Sequence, residues 1–186
     1  YYPSIFNDVL SPLTPGPSSS NTCAPHRIAS LCRQLLGEEP LSLCVVMAEN
    51  GGYRDTCFSM QSDLAFISGL LGFDLLSFDL AQAYEAAQSQ NLHTEFRFDP
   101  GLPETPSELS LLFIRGKSRR LEISAVSLGG GEIEINRING SDLHLDGKSD
   151  CQVAFYRNGS VALLPCAGSD ACFGAHASTV GASDID

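Results

Sequence analysis

The sequence is poor in several features that mark common classes of protein. Its 186 residues include no tryptophan, two methionines and 11 lysines and arginines against 22 aspartates and glutamates, so the formal net charge is −11. Nucleic acid phosphates and anionic membrane surfaces repel such a chain, so we expect neither nucleic acid nor membrane as a partner. No apolar run approaches the ~20 residues of a membrane-spanning helix. The composition, 43% hydrophobic and 18% charged, is that of an ordinary globular domain.

Paired cysteines are also missing. The 7 cysteines form no C-x-x-C pair, and their odd, scattered arrangement fits reduced thiols better than a disulfide framework. The first ten residues lack the basic-then-apolar layout of a signal peptide. We therefore expect a cytoplasmic protein. Cys166 and Cys172 are close in sequence, but their spacing alone does not define a metal site, so we predict no metal.

Hydrophobic periodicity predicts helices in the first half of the chain. Residues 23–36 carry apolar side chains at helical spacing, and Gly37 follows as a stop. Residues 41–48 form a short apolar run that is typical of a central strand. Residues 61–71 and 78–91 then predict a buried helix and a more polar one.

Runs of strand length fill the second half. They cover residues 94–98, 109–115, 120–127, 132–138, 141–145 and 151–156. Asn139-Gly140 and Asn158-Gly159 lie between such runs and predict type I′ hairpin turns. Helices gathered early and strands gathered late predict an α+β fold, with an antiparallel sheet and helices packed on one face. We assign residues 1–165 to this domain and residues 166–186, which are small and polar, to a tail or interdomain linker.

A polar loop, Gly-Pro-Ser-Ser-Ser-Asn-Thr at residues 16–22, runs directly into the first predicted helix. Its side chains with hydroxyl or amide groups are Ser18, Ser19, Ser20, Asn21 and Thr22. Free backbone N–H groups and the helix dipole favour an anion at such a position, which suits the carboxylate of a small amino-acid ligand. The alternative is a plain N-cap, in which Ser20, Asn21 or Thr22 satisfies the first turn.

Two further segments are candidates for the same site. Ser62 and Asp63 open the second predicted helix, where Asp63 is either a cap or a functional carboxylate. Gly129, Gly130 and Gly131 lie between two strand runs and so do not form a dinucleotide-binding fingerprint. They form either a tight connection or a place where the backbone approaches a ligand or another chain closely.

Several segments together resemble the β portion of iron-sulfur-dependent L-serine dehydratases. The resemblance covers roughly residues 4–145, in the same order, and rests on Ser-Ile-Phe-Asn-Asp-Val-Leu from residue 4, the loop at 16–22, Gly-Leu-Leu-Gly-Phe-Asp from residue 69 and Ser-Leu-Gly-Gly-Gly-Glu-Ile-Glu-Ile from residue 127. It implies an α+β domain of the kind called the allosteric substrate binding domain. It also implies a separate or fused α portion as partner, which carries a cysteine-ligated [4Fe-4S] cluster.

The resemblance implies a reaction and a set of site residues. In that family a cluster iron acts as a Lewis acid on the serine hydroxyl while a base removes the α-proton, and L-serine becomes pyruvate and ammonia. Substrate binding would here fall to residues 18–22, Ser62 and Asp63, with close backbone approach at residues 129–131. Because the cluster belongs to the α portion, this chain alone is expected to hold no cofactor and to be inactive.

Two positions depart from the family pattern. Asn21 stands at the histidine of a Ser-Ser-Ser-His-Thr loop, and Met60 stands at the histidine of a Gly-His-x-Thr-Asp stretch. Asn21 can hydrogen-bond a ligand but cannot exchange a proton near neutral pH, so the catalytic base is unknown. Two functions therefore stay open: the β portion of an L-serine dehydratase, or a non-catalytic amino-acid-binding or regulatory module of the same fold. A homo-oligomer is compatible with both.

Overall fold

Helices come first and most strands follow in the part of the chain that the structure describes. The computed structural model describes residues 17–103, 108–148, 151–156 and 159–164, and the backbone of residues 177–180. The helices are α1 (Ala24–Leu36), α2 (Tyr53–Thr56), α3 (Ser62–Leu71) and α4 (Ala83–Ser89). A short π-helix, Ser19–Cys23, leads into α1, and a 3-10 turn, Leu80–Gln82, leads into α4. The strands are β1 (Ser42–Ala48), β2 (His93–Asp99), β3 (Glu108–Arg115), β4 (Arg120–Gly129), β5 (Glu132–Ile138), β6 (Ser141–Leu145), β7 (Cys151–Phe155), β8 (Val161–Leu164) and β9 (Ala177–Val180). The α+β class is confirmed.

The main sheet is mixed rather than antiparallel. Its six strands lie in the order β2-β1-β3-β4-β5-β6. Neighbours from β1 to β6 run antiparallel, but β1 and β2 run parallel, with Ser42 opposite His93. The prediction of an antiparallel sheet is therefore wrong at this edge. Residues 49–92, which contain α2 to α4, separate the two strands and provide the long crossover that a parallel pair requires.

One predicted hairpin turn is confirmed. Asn139 and Gly140 connect β5 and β6, and both have positive φ angles, 48° and 80°, as a type I′ turn demands. In the second predicted turn Gly159 has φ 88°, while Asn158 lies outside the described residues.

A second, smaller sheet has the order β8-β7-β9, with β7 and β8 antiparallel and β7 and β9 parallel. Strand β9 lies within residues 166–186, the predicted tail or linker, so these four residues pair with the domain. Ala-Ser-Thr-Val has little apolar patterning, so only tertiary contact decides its pairing. Cys166 and Cys172 lie outside the described residues, and the domain boundary stays a prediction.

The helices cover one face of the main sheet. Leu43, Val45 and Met47 of β1 are fully buried toward that face, while the residues between them are half-buried. Helix α1 packs against α3 and against strands β4 and β5, and the apolar side chains of all these elements form one core. No helix among the described residues is long and apolar enough to cross a bilayer.

Helices α1 and α3 cross closely at Gly69. A Cβ atom at residue 69 would overlap the His26 carbonyl oxygen and lie 3.1 Å from the Ala29 Cβ. Side chains of α1 also bind carbonyls at the end of α3: Arg33 Nη1 donates to Leu70 O at 3.0 Å, and Ser30 Oγ donates to Gly69 O at 3.5 Å. The Arg33 bond satisfies a carbonyl that the last helical turn leaves without an intrahelical donor, whereas Gly69 O also accepts from the Gly72 N–H at 3.1 Å.

We expect the substitution Gly69→Ala to destabilise the domain by about 2 kcal/mol. Helix propensity alone would make the alanine variant more stable by ~1 kcal/mol, so a net loss of stability would come from the overlap with α1. Chemical denaturation measures the free energy of unfolding. Gly140→Ala is the control, because a Cβ atom at residue 140 would have nothing within 4 Å. Only the positive φ angle disfavours alanine there, and it should lower the free energy of unfolding by about 1 kcal/mol. Unchanged or increased stability of Gly69→Ala would contradict the close crossing.

Candidate functional site

Ser18 caps the helical turn of the polar loop. Its backbone is extended (φ −151°, ψ 130°), and its Oγ accepts a hydrogen bond from the Asn21 backbone N–H at 3.3 Å. The Ser18 carbonyl accepts a second bond from the Thr22 N–H at 2.9 Å. The alternative in which Ser20, Asn21 or Thr22 provides the cap is therefore wrong. Because Ser18 satisfies the first turn, the side chains of Asn21 and Thr22 are available for longer-range contacts.

The Asn21 side chain joins the loop to α2 and α3. Its Nδ2 donates to Ser18 Oγ at 3.2 Å, and its Oδ1 accepts from Thr56 Oγ1 at 2.7 Å and from Ser62 Oγ at 3.4 Å. Thr56 Oγ1 lies equally close to Gly52 O, at 2.7 Å, so its single proton is shared between two acceptors. Asn21 is 8% exposed and Ser62 is fully buried. The loop and the start of α3 thus form one polar cluster, while the role of these residues in binding a substrate stays a prediction.

The same cluster contains Met60. Thr22 Oγ1 donates to the Met60 carbonyl oxygen at 3.2 Å, across 38 residues of sequence. Gln61 follows with a left-handed backbone (φ 62°), and the Ser62 N–H then donates to the Cys57 carbonyl at 2.7 Å. The two positions at which the resemblance implies histidines, 21 and 60, therefore lie in neighbouring segments.

Asp63 borders this cluster as a buried carboxylate. It is 5% exposed; its Oδ2 accepts from Tyr84 OH at 2.9 Å, while its buried Oδ1 has no hydrogen-bond partner among the described residues. Burial raises the pKa of Asp63, and the Tyr84 hydrogen bond opposes that rise. Burial and the negative charge of Asp63 raise the pKa of the neighbouring Cys57 thiol to about 12. The thiol therefore stays protonated at neutral pH and is not a nucleophile there.

The triple glycine forms the turn between β4 and β5. Gly129, Gly130 and Gly131 have φ angles of 94°, 62° and 84°, so the tight connection is the conformation observed. Arg27 Nη1 of α1 donates to Gly131 O at 2.5 Å and holds the turn beside that helix.

Ser127 links the end of β4 to the polar loop. Its Oγ donates to the Ser20 carbonyl at 3.4 Å, and Tyr53 OH donates to the same oxygen at 3.4 Å. The glycine turn thus approaches the loop through Ser127. A close approach of the glycines to a ligand stays a prediction.

Sequence reasoning missed three side chains of the site: Tyr53, Thr56 and Tyr84. Tyr53 and Thr56 belong to α2, and Tyr84 belongs to α4. A helical tyrosine or threonine carries no short-range signal of such a role, because its partner lies on another element. Several hydroxyl-bearing residues lie in and after α2, among them Tyr53, Thr56 and Ser59, and the sequence does not identify which of them turns inward.

The site offers hydrogen-bonding groups and two titratable carboxyls, Asp63 and Glu108, of which Glu108 acts by its charge on Tyr53 and Cys57. His26 of α1 is committed elsewhere: its Nε2 lies 2.8 Å from Phe73 O, and burial lowers its pKa. No three His, Cys, Asp or Glu side chains in the described ranges lie close enough to ligate a metal ion. A cysteine-ligated cluster therefore has no ligand set in this part of the chain.

Fold and site together define an α+β domain with a buried amide and hydroxyl cluster where α1 and α3 begin. No protein-family model matches the chain. The chain is similar to the probable L-serine dehydratase, beta chain, of Bacillus subtilis (strain 168), with 34% identity over 146 residues, 78% of this chain and 64% of the relative. It is also similar to the L-serine dehydratase, beta chain, of Peptoniphilus asaccharolyticus, with 25% identity over 142 residues, 76% of this chain and 63% of the relative. The predicted resemblance to the β portion is confirmed, although the chain spans less than two thirds of either relative.

We expect Asn21→Ala to lower the free energy of unfolding by about 2 kcal/mol, because the buried hydroxyl of Ser62 loses its acceptor. Urea denaturation measures the loss. Ser59→Ala is the matched control: its exposed hydroxyl donates to the nearby Asp55 carbonyl, and its removal should change stability by about 0.5 kcal/mol or less. Equal effects of the two substitutions would show that Asn21 does not hold the cluster together.

We expect Asp63→Asn to change how stability depends on pH. Asparagine keeps an acceptor for Tyr84 OH but removes the buried charge. Because the folded-state pKa of Asp63 is raised, the wild-type folded state binds more protons than the unfolded state, and its stability falls as pH rises from ~4 through the folded-state pKa. The variant lacks this fall and should be the more stable protein at pH 7.

Thermal unfolding across a pH series tests this expectation. Asp55→Asn replaces an exposed aspartate on α2 and should keep the wild-type pH dependence. A curve for Asp63→Asn parallel to that of the wild type would refute the assignment of a raised pKa to Asp63.

Proposed function

We propose that this chain is the β portion of a two-part L-serine dehydratase that converts L-serine to pyruvate and ammonia together with an α portion. The observation that carries the proposal is the 34% identity to a probable L-serine dehydratase beta chain over 78% of this chain. The contact between the Asn21 and Met60 segments supports it, because the resemblance implies one site from these two segments.

The reaction removes water from L-serine across its α and β carbons and then hydrolyses the resulting aminoacrylate to pyruvate and ammonia. In this proposal the loop at residues 18–22, with Ser62, receives the substrate through its hydroxyl, amide and backbone N–H groups. The [4Fe-4S] cluster is assigned to the α portion in this proposal, as the resemblance to the dehydratase family implies. The free thiols Cys23, Cys32 and Cys57 are in keeping with a cytoplasmic location.

Exposed apolar side chains support a partner surface beside the site. Phe58 is 56% exposed and lies two residues before Met60, and Tyr84 is 44% exposed and binds Asp63. Leu76, 59% exposed, follows the buried Leu75 that packs against Cys23. Exposed apolar groups around a polar cluster are typical of a protein interface. The α portion would cover them and close the site.

A second candidate is a non-catalytic amino-acid-binding module. The specific observation in its favour is the chemistry of residues 21 and 60: an asparagine amide and a methionine thioether do not exchange protons near neutral pH. In this alternative the cluster binds L-serine as a regulatory ligand and performs no chemistry.

The test of the enzyme is anaerobic co-production of this chain with the α portion encoded by the same organism. L-serine and L-threonine are the substrates, and pyruvate or 2-oxobutyrate is the measured product. We expect pyruvate from the complex and none from either part alone. Asn21→Ala should lower kcat/KM about tenfold, the effect of one hydrogen bond of ~1.4 kcal/mol. Leu163→Ser, an exposed apolar change on the second sheet, should leave activity unchanged.

An intact complex that carries its cluster, as seen by visible absorption, and yet makes no product from either amino acid would overturn the enzyme assignment. Calorimetry of L-serine with this chain alone then tests the second candidate. Heat of binding that disappears in Ser19→Ala and Asn21→Ala supports the binding module. Heat that persists in both variants removes the loop from the site.

A further inference from the structure

The face of the main sheet opposite the helices contains a cavity of about 730 Å³. Side chains that line it include Ser42, Cys44, Phe113, Arg115, Arg120 and Asn139. This cavity lies outside the cluster of Asn21 and Ser62, which belongs to the helical side of the sheet. We propose that it binds a small oxyanion, a carboxylate or a phosphate, between Arg115 and Arg120.

Strand register places the three key residues in one row. Ser42 of β1 lies opposite Arg115 of β3, which in turn lies opposite Arg120 of β4. Side chains of directly paired residues point to the same face of a sheet. The two guanidinium groups and the Ser42 hydroxyl therefore share one face, at the end of the sheet where β3 turns into β4.

The two arginines differ from the other arginines of the described residues. Neither has an ion pair or a side-chain hydrogen bond in those parts of the chain. The others each donate to a carboxylate or to a backbone carbonyl: Arg27, Arg33, Arg54, Arg97, Arg119 and Arg137. Like charges directly opposite each other destabilise a strand pair, and a bound anion between them would reverse that effect.

Glu122 is the acidic residue that lines the cavity, and its charge interacts with Arg137 on the neighbouring strand β5. The hydrogen bond that Arg137 donates to Asp142 raises the pKa of Arg137, and the charge of Glu122 adds to that rise. Glu122 forms no salt bridge with Arg115 or Arg120 in the described structure. Glu38 also lies at the turn between β3 and β4, where its carboxylate accepts from the Ser118 and Arg119 backbone N–H groups, and in the described ranges it forms no salt bridge with Arg115 or Arg120 either.

Neighbouring groups complete an oxyanion site. The planar guanidinium fork matches the oxygens of a carboxylate or phosphate and can bind them in bidentate fashion. The Oδ1 of Asn139 accepts from the Glu122 backbone N–H at 2.8 Å, which leaves its amide NH₂ as a further donor. Phe113, 40% exposed, adds an apolar wall that would contact a small organic group on the anion.

Titration of the whole chain with sodium acetate and with sodium phosphate, in Tris-chloride at constant ionic strength, tests the proposal. Calorimetry gives the affinity, and thermal unfolding gives the shift in Tm. We expect at least one of the two oxyanions to bind and to raise Tm beyond the effect of sodium chloride. Acetate alone would identify a carboxylate site, and phosphate alone a phosphate site.

Variants separate this site from general charge effects. Arg115→Gln and Arg120→Gln should each weaken binding at least tenfold, and Glu122→Gln should strengthen it two- to fivefold. Lys117→Gln removes an exposed cation from the same turn, outside the cavity lining, and should change affinity less than twofold.

In the absence of oxyanion, Arg120→Gln should not lower Tm, because the substitution removes the repulsion between Arg120 and Arg115. Failure of both oxyanions to exceed chloride, or equal binding by all four variants, would overturn the proposal.

Discussion

The close crossing of α1 over α3 at Gly69 is the constraint on which the rest of the structure depends. Because residue 69 has no side chain, α3 lies directly against the His26 carbonyl of α1. Arg33 then reaches the carbonyl of Leu70 at the end of α3. At the opposite end of α3 the same packing brings Ser62 to Asn21. A wider separation of the helices would break the core and the polar cluster together.

The polar cluster consists of groups that hydrogen-bond rather than groups that exchange protons near neutral pH. Asn21 and the hydroxyls around it hydrogen-bond one another, so the loop is held in place by its own side chains. Asp63 and Glu108 are titratable carboxyls beside them, and burial opposes the charge of both. Under the proposed function this cluster is one wall of a site that a second protein completes, and residues 21 and 60 then need not be histidines.

The two faces of the main sheet have different chemistry. The face toward the helices holds the core and ends in the cluster of buried polar groups, including Ser127. The opposite face is half-exposed, and there Arg115 and Arg120 have no acidic partner among the described residues, although the net charge of the chain is −11. A ligand on each face would be recognised by different means: neutral donors and helix N–H groups on one, guanidinium groups on the other.

Local patterns in the sequence determined α1, α3 and α4, most strands and the Asn139-Gly140 turn, because periodicity and turn chemistry act over a few residues. They also placed residues 18–22, Ser62 and Asp63 at helix starts. Only the tertiary structure decided that β2 pairs parallel to β1, that β9 joins β7, and that Thr56 and Tyr84 reach the site. Each of these depends on contacts between segments far apart in sequence. Such contacts are decided by how the helices cross and how the strands align, which no short stretch of residues encodes.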